Sequence, residues 1–108
     1  MTPDTAPSTS KAGRLTAEEA RQRLDHERES RLMQLKAIEE AEQQASDDLL
    51  SAQKAATKHI LSEIDAAIGR LDNGVYGICQ DCAKPIPAER LEILPYTRHC
   101  VGCRRQSA

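Results

Sequence analysis

The chain has no Phe and no Trp, and its two aromatic residues are Tyr76 and Tyr96. Apolar residues make up 39% of its 108 residues, and Ala and Leu supply most of them. Such a composition cannot build a thick globular core. The missing aromatic side chains also argue against a surface on which the bases of a single-stranded nucleic acid could stack.

Glycine and proline are absent from residues 15–68, and strong helix formers dominate residues 17–72. This composition predicts long helices. In the second half of this stretch, apolar residues recur at steps of three and four, which predicts one buried seam along a helix. The seam residues are Leu49, Ala52, Ala56, Ile60, Ile64, Ala67 and Leu71. In the first half, Leu24, Leu32, Leu35, Ile38, Ala41 and Ala45 form a less regular stripe.

Sequence signals mark both ends of the helical region. Thr16 can cap a helix, Glu19 stands three residues later and completes a capping box, and Leu15 can pack against the first turns. At the other end, Asn73 and Gly74 form a common helix stop. We therefore expect a helical arm over residues 15–73.

A turn inside the arm is predicted at "QASDDLL", near residues 45–48, where Ser46 or Asp47 could cap a second helix and Asp48 would lie in its first turn. Splitting the arm there gives two segments of about 40 Å each. Segments of similar length form an antiparallel hairpin that returns Thr16 to the neighbourhood of Gly74. The alternative is one unbroken helix of about 80 Å, which would have to dimerise to cover its seam.

No stretch of the sequence is apolar enough for a signal peptide or a membrane span. Residues 1–14 are rich in Pro, Ser and Thr and are predicted to be a disordered tail. We therefore expect a cytoplasmic protein without membrane contact. Residues 15–48 carry ten Asp or Glu against five Lys or Arg, so bulk charge does not favour nucleic-acid binding.

All four cysteines lie in two C-x-x-C pairs near the C-terminus, at Cys79, Cys82, Cys100 and Cys103. The spacing C-x2-C-x17-C-x2-C lies in the range of four-cysteine zinc sites. Two tight turns can each aim two thiolates at one point and so complete a tetrahedron. Because cysteine fills every position, we expect one structural Zn²⁺ and no catalysis. Disulfides, a rubredoxin-like iron site and a thiol oxidoreductase are the alternatives.

Several residues near the cysteines are candidates for supporting roles. Tyr76 and Tyr96 are interpreted as a small apolar lid over the metal, and His99 is a further candidate ligand or an exposed neighbour. Four thiolates around Zn²⁺ leave a net negative charge. The cations that could offset it are Lys84, Arg98, Arg104 and Arg105.

The run "RLDNGVYGICQDCAKPIPAERLEILPYTRHCVGC" (70–103) resembles the C-terminal four-cysteine finger of the DksA/TraR regulators of bacterial RNA polymerase. The resemblance implies a mainly α fold, in which a helical hairpin is mounted on a zinc finger at residues 74–108. It also implies a regulator that binds the polymerase directly and inserts its arm into the secondary channel without contacting DNA. The expected protein is a monomer and not an enzyme.

The acidic run "EEAEQQASDD" (39–48) lies at the predicted turn, and Asp47 and Asp48 are the candidates for polymerase contact at the arm tip. The family tip has the pattern D-x-x-D-x-A, whereas here the two aspartates are adjacent and precede two leucines. One alternative is a coiled-coil adaptor that docks another protein without binding polymerase. Another is a zinc ribbon that binds DNA through its arginines.

Overall fold

The structure is a computed structural model, and it describes residues 15–45 and 47–103. Two long helices, α1 (Ala17–Gln44) and α2 (Asp48–Asp72), form an antiparallel hairpin, and a short helix α3 (Ala88–Ile93) lies in the finger that follows. Within the described residues, β pairing is limited to an isolated bridge between Ile78 and Pro85. The predicted tail at 1–14, the candidate cap Ser46 and the cations Arg104 and Arg105 lie outside the described residues.

The predicted start of α1 is confirmed in its details. The Thr16 hydroxyl accepts a hydrogen bond from the backbone N–H of Glu19 at 3.1 Å. In return, the Glu19 carboxylate accepts from the backbone N–H of Thr16 at 3.0 Å. This reciprocal pair satisfies two of the N–H groups that a helix start leaves without partners. The end of α2 is also as predicted, with Asn73 as its C-cap and Gly74 at φ 78°.

The hairpin turn separates helices of 28 and 25 residues, which correspond to about 42 Å and 38 Å. Asp47 caps α2, because its carboxylate accepts from the backbone N–H of Leu50 at 2.8 Å. Asp48 occupies the first turn, where a negative charge is favourable beside the positive end of the helix dipole. The hairpin prediction is confirmed, and the single long helix is excluded.

The hairpin core lies at its base, next to the finger. Leu24 from α1 packs with Ile64 and Ala67 from α2, and all three side chains are fully buried. Partly buried apolar residues surround this cluster: Ile60, Ile68, Leu71, Tyr76 and Tyr96. The finger therefore contributes to the same core as the two helices, through its two tyrosines.

The predicted seam is wrong in the half of α2 nearest the turn. Leu49 is 66% exposed, and Ala52 and Ala56 are also exposed. In their place, Leu50 is half-buried and Thr57 is buried. The Thr57 hydroxyl donates to the backbone carbonyl of Gln53 at 2.9 Å. A polar side chain can face α1 here because its hydroxyl is satisfied within its own helix.

Ion pairs join the two helices along their length. Arg21 pairs with Asp72 at the base, and Arg28 contacts Asp65 at 2.9 Å. Nearer the turn, the Lys54 ammonium lies 3.1 Å from Glu42 and 3.9 Å from Glu39. Exposed pairs of this kind each add little to stability. Together they favour one register of α1 against α2.

None of the helices in the described part of the chain could cross a membrane, since none is both long and apolar enough.

Candidate metal centre

The first cysteine pair lies in a tight turn held by backbone hydrogen bonds. The N–H of Cys79 donates to the carbonyl of Lys84 at 2.9 Å, and the N–H of Ala83 donates to the carbonyl of Cys79 at 2.9 Å. Ala83 closes the turn with a φ of 64°, in the left-handed region. Gly77 has a φ of 81°, and its carbonyl accepts from the N–H of Ile86 at 2.8 Å. These bonds aim Cys79 and Cys82 at one point.

The second cysteine pair begins where a short connecting segment meets the first turn. We call residues 95–99, which lead from α3 to Cys100, the strap. The N–H of Gln80 donates to the strap carbonyl of Arg98 at 2.9 Å, so the two turns are joined directly. Residues 101–103 are helical, and Cys103 lies on this turn.

The four sulfur atoms fit one tetrahedral metal ion. All four lie within 4.8 Å of one another, and the sulfurs of Cys82 and Cys100 are 3.8 Å apart. A tetrahedron with Zn–S bonds of about 2.3 Å has sulfur–sulfur edges of about 3.8 Å. All four cysteines are free thiols, so the disulfide alternative is wrong.

The crowding of the four thiols shifts their ionisation in opposite directions. Backbone hydrogen bonds from Cys100 and Cys82 lower the pKa of Cys79 to about 6. By contrast, hydrogen bonding to the neighbouring sulfurs of Cys100 and Cys79 raises the pKa of Cys103 well above its ordinary value. Four crowded thiols cannot all lose their protons unless a positive charge compensates them. A Zn²⁺ ion held by Cys79, Cys82, Cys100 and Cys103 would supply that charge in place of the protons.

The cysteine cluster is also part of the apolar core of the finger. Cys79 is 1% exposed and packs in a buried cluster with Ile86 and Leu91. Leu15, which precedes α1, packs against this cluster together with Tyr76. From the sequence, Leu15 was expected to pack against the first turns of its own helix. The hairpin geometry instead brings it to the finger, where it covers the apolar side of the cysteine cluster.

Three supporting roles predicted near the cysteines are corrected. Tyr96 does not cover the metal centre but packs on the hairpin core, whereas Tyr76 contacts both clusters. The Arg98 guanidinium does not face the sulfurs but binds Glu63 of α2, with contacts of 2.9 and 3.0 Å. The imidazole of His99 lies 3.4 Å from the Asp81 carboxylate. It is therefore neither a ligand of the cluster nor an exposed neighbour.

The other candidate site lies at the far end of the hairpin. Asp47 and Asp48 are both exposed there, beside the exposed Leu49. Of the other carboxylates in the acidic run, those of Glu39 and Glu42 face Lys54. The two aspartates are therefore the carboxylates that the turn itself presents.

Two features of the chain, one in the finger and one on α2, were not predicted from the sequence. Helix α3 occupies six of the 17 residues between the cysteine pairs, and Pro87 at its N-cap was the available signal. Arg70 is buried at the base of α2, although arginine is one of the residues least often buried. Arg70 is not one of the predicted seam residues, so the apolar pattern gave no signal of its burial.

Comparison with known proteins identifies the finger. Residues 74–107 match the family described as the prokaryotic dksA/traR C4-type zinc finger. The donor set of four thiolates therefore corresponds to one structural zinc ion. This match covers the cysteine module but not the helical hairpin.

Relatives extend the similarity beyond the finger. The chain is 42% identical over 59 residues to an uncharacterised protein of Aquifex aeolicus, which covers 55% of this chain and 39% of that protein. It is 38% identical over 48 residues to general stress protein 16O of Bacillus subtilis, covering 44% and 29% of the two chains. The matched region thus spans well under half the length of either relative.

The whole architecture has a counterpart among solved structures. The structure of transcription factor DksA2 from Pseudomonas aeruginosa superposes with a TM-score of 0.53 and 26% identity. The superposition covers 84% of this chain and 76% of that one, so it includes the hairpin as well as the finger. The resemblance to the DksA/TraR family is therefore confirmed, with residues 74–107 as the zinc finger that the family description matches.

Proposed function

We propose that this protein is a non-enzymatic transcription regulator that binds bacterial RNA polymerase directly. In this proposal, Cys79, Cys82, Cys100 and Cys103 hold Zn²⁺, and the hairpin enters the secondary channel with Asp47 and Asp48 at its tip. The observation that carries it is a DksA-like hairpin mounted on a DksA/TraR-type finger. A stiff arm about 40 Å long that ends in carboxylates suits a narrow channel.

The tip offers two carboxylates in different situations. Asp47 uses one oxygen to cap α2, which leaves the other oxygen for a partner. Asp48 is exposed in the first turn. Together they would be attracted to a basic or Mg²⁺-bearing pocket. The neighbouring Leu49, 66% exposed, adds an apolar side chain to the tip.

The structure offers less support for the alternative of DNA binding. Of the three arginines proposed to contact phosphates, Arg98 is engaged with Glu63. A phosphate contact would have to break this pair. The remaining two lie outside the described residues.

Co-elution of the zinc-loaded protein with purified bacterial RNA polymerase tests the proposal. We expect a complex at micromolar concentrations, and we expect a second protein known to occupy the secondary channel to displace it. Absence of a complex would contradict the proposal and favour the adaptor. A complex that the competitor leaves intact would exclude channel insertion.

The role of the tip is tested by the double variant Asp47→Asn/Asp48→Asn. Asparagine caps a helix about as well as aspartate, so the variant removes charge while keeping the turn. We expect polymerase affinity to change less than threefold, or about 0.6 kcal/mol, while transcription from responsive promoters changes. The matched control is Asp25→Asn/Glu29→Gln, which removes two exposed carboxylates from α1 far from the turn. Transcript levels equal to those with the unaltered protein would show that the tip charge is inert.

A further inference from the structure

A buried arginine joins the hairpin to the strap. Arg70 is 9% exposed on the last turns of α2. Its Nη2 atom donates to the backbone carbonyls of Tyr96 and Thr97, both at 3.5 Å. Burial, with the nearby charge of Arg98, lowers the pKa of Arg70 from its ordinary value. A buried guanidinium depends on such acceptors, because leaving it without partners is costly.

The strap is held in place at two further points, by Tyr76 of the finger and by Glu63 of the hairpin. The Tyr76 hydroxyl donates to the carbonyl of Pro95 at 2.8 Å. Arg98 forms its ion pair with Glu63 on α2. The hairpin base thus contacts the strap through Glu63 and Arg70, about two helical turns apart on α2.

The same strap is held to the metal centre at its other end. Its last residue, His99, precedes Cys100, and the His99 carbonyl accepts from Arg90 of α3 at 3.1 Å. The Arg98 carbonyl accepts from the N–H of Gln80, inside the first cysteine turn. This five-residue segment therefore contacts the first cysteine turn and α2 at once, and it leads directly into Cys100.

We propose that Arg70 is a positioning residue that couples zinc binding to the packing of the strap on the hairpin base. With zinc bound, Cys100 and Cys103 hold the strap where its carbonyls meet the guanidinium. When zinc leaves, the strap is released, and Arg70 loses its acceptors. Linkage requires the converse as well, so that removing the guanidinium weakens zinc binding. The inference concerns the metal centre and does not depend on polymerase binding.

The first test compares zinc affinities of full-length variants by competition with a chromophoric chelator. Arg70→Met keeps the apolar stem and removes the donors, and we expect its zinc dissociation constant to rise roughly fivefold or more, the usual range of coupling between sites. The matched control is Arg28→Met, which removes an exposed ion pair to Asp65 away from the strap. Its zinc affinity should stay within about twofold of the unaltered protein.

A structural role alone predicts a different result. If Arg70→Met lowered the melting temperature equally with and without zinc and left the zinc dissociation constant unchanged, the coupling would be refuted. Should Arg70→Met fail to fold, Glu63→Gln replaces it, because it removes the negative charge that pairs with Arg98 of the strap, at a partly exposed position of α2. We expect Glu63→Gln to weaken zinc binding in the same direction by a smaller factor, and an unchanged affinity would refute the coupling.

Hydrogen exchange of the unaltered protein gives a second readout without any substitution. Removing zinc should speed exchange of the amides at residues 63–72, which lie behind the strap. Amides at residues 50–60 of the same helix serve as the internal control and should change less. Equal rates at residues 63–72 with and without zinc would overturn the proposal.

Discussion

Ala83 is the one residue other than glycine with a left-handed backbone among the described residues, at φ 64°. An L-residue in this region costs roughly 1–2 kcal/mol, because its Cβ approaches the following carbonyl. Replacing it by Gly relieves that cost but increases the entropy of the unfolded chain by about 0.4–1 kcal/mol.

We therefore predict that Ala83→Gly stabilises the zinc-loaded protein by about 0.5–1 kcal/mol. Chemical denaturation at saturating zinc measures the effect. The control is Ala52→Gly, at an exposed position inside α2, which should destabilise by about 1 kcal/mol. A loss of stability in both variants would show that the cysteine turn gains nothing from glycine.

Tyr76 gives the second prediction at this scale. Burial raises the pKa of its hydroxyl to about 12, above the ordinary value near 10 of an unfolded chain. The folded state therefore binds this proton more tightly than the unfolded state does. The contribution of this proton to the free energy of unfolding is therefore complete below about pH 10. It is lost as the pH rises from about 10 to 12.

In Tyr76→Phe this part of the pH dependence should disappear, together with the hydrogen bond to Pro95. Melting temperatures of the two proteins measured from pH 8 to 11 test this expectation. We expect the gap between them to narrow above pH 10, since only the unaltered protein loses the contribution of Tyr76. A constant gap across this range would contradict the assigned shift.

Single residues also show what the sequence could and could not predict. The four cysteines are recognisable because their spacing alone specifies two turns around one metal. The positive φ of Ala83 follows from its place directly after a C-x-x-C pair. Arg70 could not be assigned in the same way, since its partners are backbone carbonyls 26 and 27 residues later. Every residue has a backbone carbonyl, so the side-chain types in the sequence do not show which carbonyls Arg70 contacts.

At the scale of elements, the finger and the hairpin differ in what stabilises them. The hairpin has caps, an apolar cluster at its base and cross-helix ion pairs. The finger has one short helix and a buried cluster that contains Cys79. A module this small depends on its metal, which can contribute on the order of 10 kcal/mol.

Cys79→Ser should therefore release zinc and unfold the finger while most of the helical circular dichroism remains. Metal analysis after gel filtration, together with far-ultraviolet circular dichroism, measures both effects. The unaltered protein stripped of zinc by a chelator should give the same spectrum and serves as the control. One zinc ion per chain retained by Cys79→Ser would exclude the four-thiolate centre.

The helix ends could be predicted closely because their signals are local. Thr16, Glu19 and Asp47 act on backbone groups within three residues of themselves. The buried face near the turn could not be predicted in this way. Apolar periodicity assumes that burial follows hydrophobicity, whereas here Thr57 is buried and Leu49 is exposed. In a hairpin of two helices, each helix exposes a wide face to solvent and buries only a narrow line of side chains against the other helix.

At the scale of the whole molecule, the hairpin covers its own apolar cluster, so no second chain is needed to bury it. We predict a monomer at micromolar concentrations, measured by light scattering coupled to gel filtration at saturating zinc. An elongated dimer would contradict this and would favour the adaptor. The zinc-free protein is a useful comparison, since an unfolded finger exposes apolar surface and could promote association.

Because α1 and α2 lie side by side and both meet the finger at one end, the turn marks the midpoint of the arm and its greatest distance from the metal. Removing equal segments from the two helices would bring the tip closer by about 1.5 Å for each residue pair, without altering the cysteine module. Deleting about seven residues, or two turns, from each helix keeps the facing residues in phase. The number of helical turns in the hairpin therefore sets the distance between the tip and the metal. This distance can be changed without changing the finger.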